Sequence, residues 1–179
     1  MLGAAYIERI HDVLVAKLWP GTDPIVDGEF RSIELIESAV GRPFHSAFER
    51  DAYPNPIDKS IALFHSLISN HPFYNGNKRT AVIAFDHFLM ANGLFSAIDN
   101  REMYTLAERT ASYRARGLSH EESFIEVRTA VADRIVILQA LEDATTKNSK
   151  MKELYIEIER MRIFIRSDPN NTILPAEQN

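Results

Sequence analysis

HPFYNGNKRTAVIAFDHFLMANG, residues 71–93, reads as a short polar loop running into one amphipathic helix. Val82, Ile83, Phe85, Phe88 and Leu89 recur at the spacing of a helix with one buried face, and Asn92-Gly93 supplies a stop signal. Gly76, Asn77 and Lys78 are therefore expected in the first turn. Backbone N–H groups there lack intrahelical partners and lie at the positive end of the helix dipole, so a phosphate in front of them meets ready donors. Lys78 and Arg79 add a point charge and a planar fork for phosphate oxygens. His71 lies on the loop entering this turn. A neutral imidazole can take a proton from an incoming hydroxyl while the adjoining N–H groups hold the phosphate under attack. Phe73, between the polar positions, is expected to bury the loop and fix the geometry in which the base works. The plain alternative is a helix-to-helix connection with Asn77 as a cap and Lys78 and Arg79 as solvated charge. Each residue taken singly fits that alternative, and only their joint order argues against it.

The rest of the chain bounds the reading. Its 179 residues, 45% hydrophobic and 25% charged, suffice for one sizeable core. A net charge of -5 and a pI near 5.7 argue against nucleic acid as the direct ligand, since duplex binders carry a basic excess or stripe. Arg109, Arg114 and Arg116 form the most basic cluster and read as a solvated helix end. There is no cysteine, hence no disulfide and no thiolate ligand. The start MLGAAYIERIHDVL is amphipathic and carries acidic residues, unlike a secretory signal, and no run approaches ~18 apolar residues. A cytoplasmic protein without membrane contact is expected.

Outward from the loop, the periodicity is helical almost throughout. Residues 4–18 place Ile7, Ile10, Val13, Leu14 and Leu18 on one face, and Trp19-Pro20-Gly21 breaks the run. Residues 29–40 repeat the pattern with Ile33, Leu35, Ile36 and Val40 before Gly41. Residues 43–54 are irregular, and Phe44, Phe48 and Tyr53 there are expected to pack inward. Asn55-Pro56 opens a helix with a cap and a first-turn proline, and that helix leads into the loop. Further helices are expected over residues 100–115 and from Ser119, which has capping-box spacing to Glu122. No strand is expected. Met151, Leu154, Ile158, Met161 and Ile165 keep a coiled-coil-like spacing over residues 147–166, so that helix must pack on the core or on a second copy of the chain. Residues 168–179 read as a frayed tail. His65, His87, His45 and His120 have no spacing of a metal site, with His45 and His120 expected at the surface, and His11-Asp12 is too short a match to weigh.

His71, Phe73, Asn75, Gly76, Asn77, Lys78 and Arg79 stand in the order of the Fic/Doc signature, and the chain resembles that family over roughly residues 4–116. Lys78, where the larger Fic branch has glycine, and Val82, where that branch has a second arginine, are similar to the death-on-curing (Doc) branch. The resemblance implies an all-α Fic/Doc helical bundle over residues 1–145, with residues 146–179 as a helical extension and tail. It implies a toxin that uses ATP as co-substrate to phosphorylate a Ser/Thr hydroxyl of a protein target, by resemblance a translation elongation factor. The alternatives are Fic-type AMP transfer and a degenerate module that binds a nucleotide or partner without chemistry. His71 would be the base, Phe73 the loop anchor, Gly76 and Asn77 the anion-hole turn, and Lys78 and Arg79 the phosphate clamps. At position 75 the family often carries an acid that helps hold Mg2+. Asn75 brings no charge, so metal affinity is expected to fall unless the phosphates hold the ion. Ser149 and Glu153 have the first spacing of the family's self-inhibitory helix, but Leu154 stands where a small residue is expected. Inhibition is therefore expected from a separate antitoxin protein.

Overall fold

The computed structural model describes residues 2–18, 31–47, 49–145 and 149–167. Trp19-Pro20-Gly21, residues 29–30, Phe48 and the tail from 168 lie outside these, as do the side chains of Leu18, Met151 and Ile165.

Two helices position the site. Asn55 caps α3 (Pro56–Asn70): its side-chain oxygen accepts from the Asp58 N–H at 2.8 Å, and Pro56 occupies the first helical position, where no N–H is missed. Every residue from Ser60 to Ile68 is buried, so α3 is enclosed on all sides and its polar side chains must find partners inside. Ser60 Oγ donates to the Ile57 carbonyl at 2.7 Å, and His65 lies between the hydroxyls of Ser69 and Ser123, each at 3.1 Å. The second helix, α4 (Asn77–Ala91), packs along α3. Ala81 and Ala84 let the two approach, and Phe64 meets Phe85 edge to face with centroids 5.9 Å apart. The junction between them is the loop quoted above.

The remaining elements enclose this pair. α1 (Ala4–Leu18) lies on α4 and on α2 (Ile33–Gly41), burying Tyr6, Ile7, Ile10 and Leu14, with the Tyr6 hydroxyl 3.0 Å from His87 Nδ1. Val13, expected on the buried face, is 42% exposed, because the α1 contact stripe is narrower than its apolar pattern. After a 3-10 turn at Arg42–Phe44, β1 (Ser46–Ala47) and β2 (Arg50–Asp51) form a small antiparallel pair. Tyr53 packs inward, accepting from Arg42 Nε at 3.2 Å against Phe124, whereas Phe44 stays partly exposed beneath Lys59. α5 (Asn100–Ala111) is capped by Asp99, and α6 (His120–Val131) carries the reciprocal Ser119–Glu122 box. Asp58 and Arg128 (2.9 Å) tie α6 to α3, while Glu126 joins Arg109 and Arg116 in ion pairs. The arginine cluster is thus partly neutralised.

The class is all-α, although two strand pairs appear where none was expected. β3 (Leu94–Ser96) and β4 (Ile135–Ile137) pair antiparallel with Phe95 opposite Val136. Three-residue strands leave no period long enough to read from sequence. They join the end of α4 to α7 (Leu138–Thr145). α8 (Ser149–Ser167) then packs on α7 and on α4 through Ile158, so the extension does find the core, leaving Leu154, Ile156 and Met161 exposed. Among the described residues no helix is long and apolar enough to cross a membrane.

His120, expected at the surface, is half-buried against His65 at 4.3 Å between ring centroids, with Arg42 Nη2 3.5 Å away. Burial, then the neighbouring His120 and Arg42, pushes His65 down to about 4, and burial does the same to His87. Asp86 is pushed up to about 7 by burial. A histidine with a depressed folded pKa contributes stability that is present above its unfolded value and lost as pH falls toward the folded one. The raised aspartate acts oppositely over the same window. Two histidines outweigh one carboxyl, so melting temperature is expected to fall as pH drops from 7 to 4.5. His65→Asn should flatten the denaturant-derived stability profile near pH 5.5 by about 1 kcal/mol per pH unit.

Candidate active site

α3 ends at His71, whose φ of 52° and ψ of 56° are left-handed. That conformation is usually supplied by glycine and costs a β-carbon-bearing residue about 1 kcal/mol. It turns the chain sharply, and Phe73 then enters the core. Asn77, the first residue of α4, reaches back to this turn. Its Oδ1 accepts from the Phe73 N–H at 2.9 Å and its Nδ2 donates to the Phe73 carbonyl at 2.8 Å. The side chain is 4% exposed, so these bonds are made away from competing water. Nδ2 also lies 3.2 Å from His71 Nδ1. An amide nitrogen only donates, so Nδ1 is the acceptor and the neutral ring carries its proton on Nε2. The imidazole lone pair is therefore engaged by the amide of the first residue of α4.

Gly76, expected in the first turn, instead precedes α4 as its N-cap, because its φ of 76° is left-handed and not helical. Only glycine adopts this without strain, and having no side chain it cannot cap the helix itself. No side chain therefore caps the first turn, whose N–H groups lie at the positive end of the helix. His71, residues 74–79 and Tyr104 of α5 line a cavity of about 220 Å3 in front of them. The structure brings His71, Asn75, Gly76, Asn77, Lys78 and Arg79 together at this one cavity. Phe73 instead lies beneath it in the core. The Asn77 amide serves the loop, so toward the cavity this residue offers its backbone.

Three residues escaped the sequence reading. Tyr104 closes one wall, with the Lys78 ammonium 5.3 Å from its ring centroid, and Glu108, one turn on, meets Lys78 Nζ at 3.3 Å. The four-residue spacing of Tyr104 and Glu108 shows that they share a face of α5, but nothing in the sequence aims that face at Lys78. His11 of α1 stacks flat on Phe73. The cavity lining holds no carboxylate, and among the described residues no group of three His, Cys, Asp or Glu could hold a metal ion. Asn75 is the side chain of this lining that could offer a magnesium ion a neutral amide oxygen, and without a carboxylate the remaining ligands would be phosphate oxygens and water.

Two outcomes test this geometry. Asn77→Asp keeps the acceptor for the Phe73 N–H but sets an oxygen against the Phe73 carbonyl in place of a donor, and should cost about 1–3 kcal/mol in denaturant unfolding. Glu108→Gln should raise affinity for inorganic tripolyphosphate a few-fold at low salt by releasing Lys78, a change limited by the ~0–1 kcal/mol worth of exposed pairs.

A model of the Fic/DOC family matches residues 2–89. Toxin Doc of Mycolicibacterium smegmatis (strain ATCC 700084 / mc(2)155) is 45% identical over 69 residues, which cover 38% of this chain and 53% of that relative. The chain thus spans about half the length of the curated relative it matches. No solved structure matches it. The matched residues include the whole cavity lining except Tyr104, and over them the chain is a match to the Fic/DOC family, with similarity to a Doc toxin.

Proposed function

We propose that this chain is a Doc-like toxin that transfers a phosphate from ATP to a Ser/Thr hydroxyl of a protein target. The observation that carries the reading is one juxtaposition: the His71 Nδ1 lone pair lies beside an uncapped helix amino terminus flanked by Lys78 and Arg79, on a single cavity. The His71 ring first leaves the Asn77 amide, and the target hydroxyl then gives its proton to the freed Nδ1 as its oxygen bonds to the γ-phosphorus. The bond from that phosphorus to the β–γ bridging oxygen breaks, and ADP leaves. The first-turn N–H groups, Lys78 and Arg79 hold the phosphate oxygens as charge moves. Lys78 must first exchange Glu108 for phosphate. Any divalent cation is carried by the phosphates, in keeping with Asn75.

Lys78 and Val82 support phosphate over AMP transfer, since the two branches of the family part at these positions. A translation elongation factor as target, a small antitoxin that folds onto the toxin, and a cytoplasmic setting belong to the same reading. The exposed Leu154 and Met161, seven residues apart on one face of α8, mark the side through which a second copy of the chain would associate.

ATP labelled at the γ or the α phosphorus, incubated with lysate proteins, tests the proposal. The γ label alone should reach a discrete protein, and His71→Ala should reduce transfer by about 10²–10⁴-fold while the protein stays folded. Transfer of the α label would replace phosphorylation by AMP transfer. Folded protein that binds ATP and transfers neither label would leave a binding module.

A further inference from the structure

We propose that His11 is a positioning residue of this site, which holds the Asn75–Gly76 peptide so that the Gly76 N–H faces the anion cavity. The inference deepens the transferase reading and rests on it for the identity of the anion as phosphate.

His11 lies on α1, far from the loop in sequence, and is 2% exposed. Its ring is parallel to that of Phe73, within 4° and with centroids 4.0 Å apart. Packing alone does not call for an imidazole, since a phenyl ring would fill the same layer without burying a polar group. What the imidazole adds is its edge: Nε2 lies 3.3 Å from the Asn75 carbonyl oxygen. A carbonyl oxygen only accepts, so Nε2 carries the proton and donates. One ring therefore holds two loop residues, Phe73 through its face and Asn75 through its edge.

The consequence follows from peptide geometry. No cis peptide occurs among the described residues, and in a planar trans unit the C=O and the following N–H point in opposite directions. The Asn75 carbonyl is drawn inward to a buried histidine, so the N–H of the same unit, that of Gly76, is directed away from the core. Gly76 and Asn75 both line the cavity. The Gly76 N–H thereby joins the first-turn donors of α4. Gly76 has the backbone freedom to let this peptide rotate, and rotation would present a carbonyl oxygen to the phosphate in place of a donor. The Asn77 clasp secures the loop at Phe73, ahead of the Asn75–Gly76 unit. His11 supplies a restraint at the unit itself.

His11→Phe keeps the stack and removes the donor, and His11→Gln keeps a donor and removes the stack. Three measurements compare them with the unmodified chain: thermal stability, calorimetric affinity for inorganic tripolyphosphate, and NMR of the Asn75 carbonyl carbon and Gly76 amide. His11→Phe is expected to melt within a few degrees of the parent, bind tripolyphosphate about tenfold more weakly, and lose the tripolyphosphate-induced shift of the Gly76 amide; tenfold is the order expected for one hydrogen bond to a charged group. His11→Gln should melt lower yet bind more tightly than His11→Phe. A His11→Phe protein with parental affinity and the parental Gly76 response would overturn the inference. The ligand-free spectrum separates this from the fate of the transferase reading. An Asn75 carbonyl shift identical in the parent and His11→Phe sinks the positioning role even if phosphate transfer is observed. A changed shift in a chain that binds no tripolyphosphate and transfers no label sustains the peptide restraint, but overturns both its role in anion binding and the transferase reading.

Discussion

A single side-chain amide holds the N–H and the C=O of Phe73 at once, and the site depends on this clasp. Asn77 makes both bonds in a buried setting, where an unmade bond would leave donors and acceptors unsatisfied at about 1–3 kcal/mol each. The loop between α3 and α4 therefore has one low-energy path. That path carries His71 back over the start of α4 and drives Phe73 into the core. Because Asn77 is itself the first residue of α4, the clasp fixes the loop to the helix whose amino terminus offers the donors. His71 and the amino terminus of α4 are thus held in one unit.

The environment of that unit is unusually polar for a core. α3 is enclosed yet carries Ser60, His65 and Ser66, and His65 is kept neutral by burial and by the neighbouring His120 and Arg42. Hydroxyls flank both of its ring nitrogens, which makes the enclosure tolerable. The same logic holds at His87 and Tyr6 on the opposite side of α4. Histidines that give no metal-ligand spacing are here structural groups whose neutrality is part of the fold's stability.

Much of the helical architecture was legible because its signals are local. The Asn55-Pro56 start, the Ser119–Glu122 box and the apolar period of α4 each act within a turn or two of their own residues, and each lies where its chemistry indicates. The short strands β3 and β4 were not legible, since a three-residue ladder is set by what lies across it. Val13 was expected inside and is partly exposed, because amphipathic pattern marks a face without stating its width, and Phe44, in an irregular stretch with no period to read, is partly exposed as well. The role of His11 was masked for the same reason. A histidine beside an aspartate near the chain start carries no local sign that it will lie on a phenylalanine 62 positions later.

By itself the sequence determined the polar turn at the start of α4, the charges beside it and the histidine that precedes it, because these lie within nine residues and the backbone geometry of a helix start brings them together. The tertiary structure alone decided which nitrogen of His71 bears the lone pair, that the Asn77 side chain serves the loop, that Glu108 and Tyr104 stand over Lys78, and that His11 underlies the loop. Those facts depend on contacts between elements far apart in the chain. Their geometry is set by packing of whole helices, which no local pattern encodes.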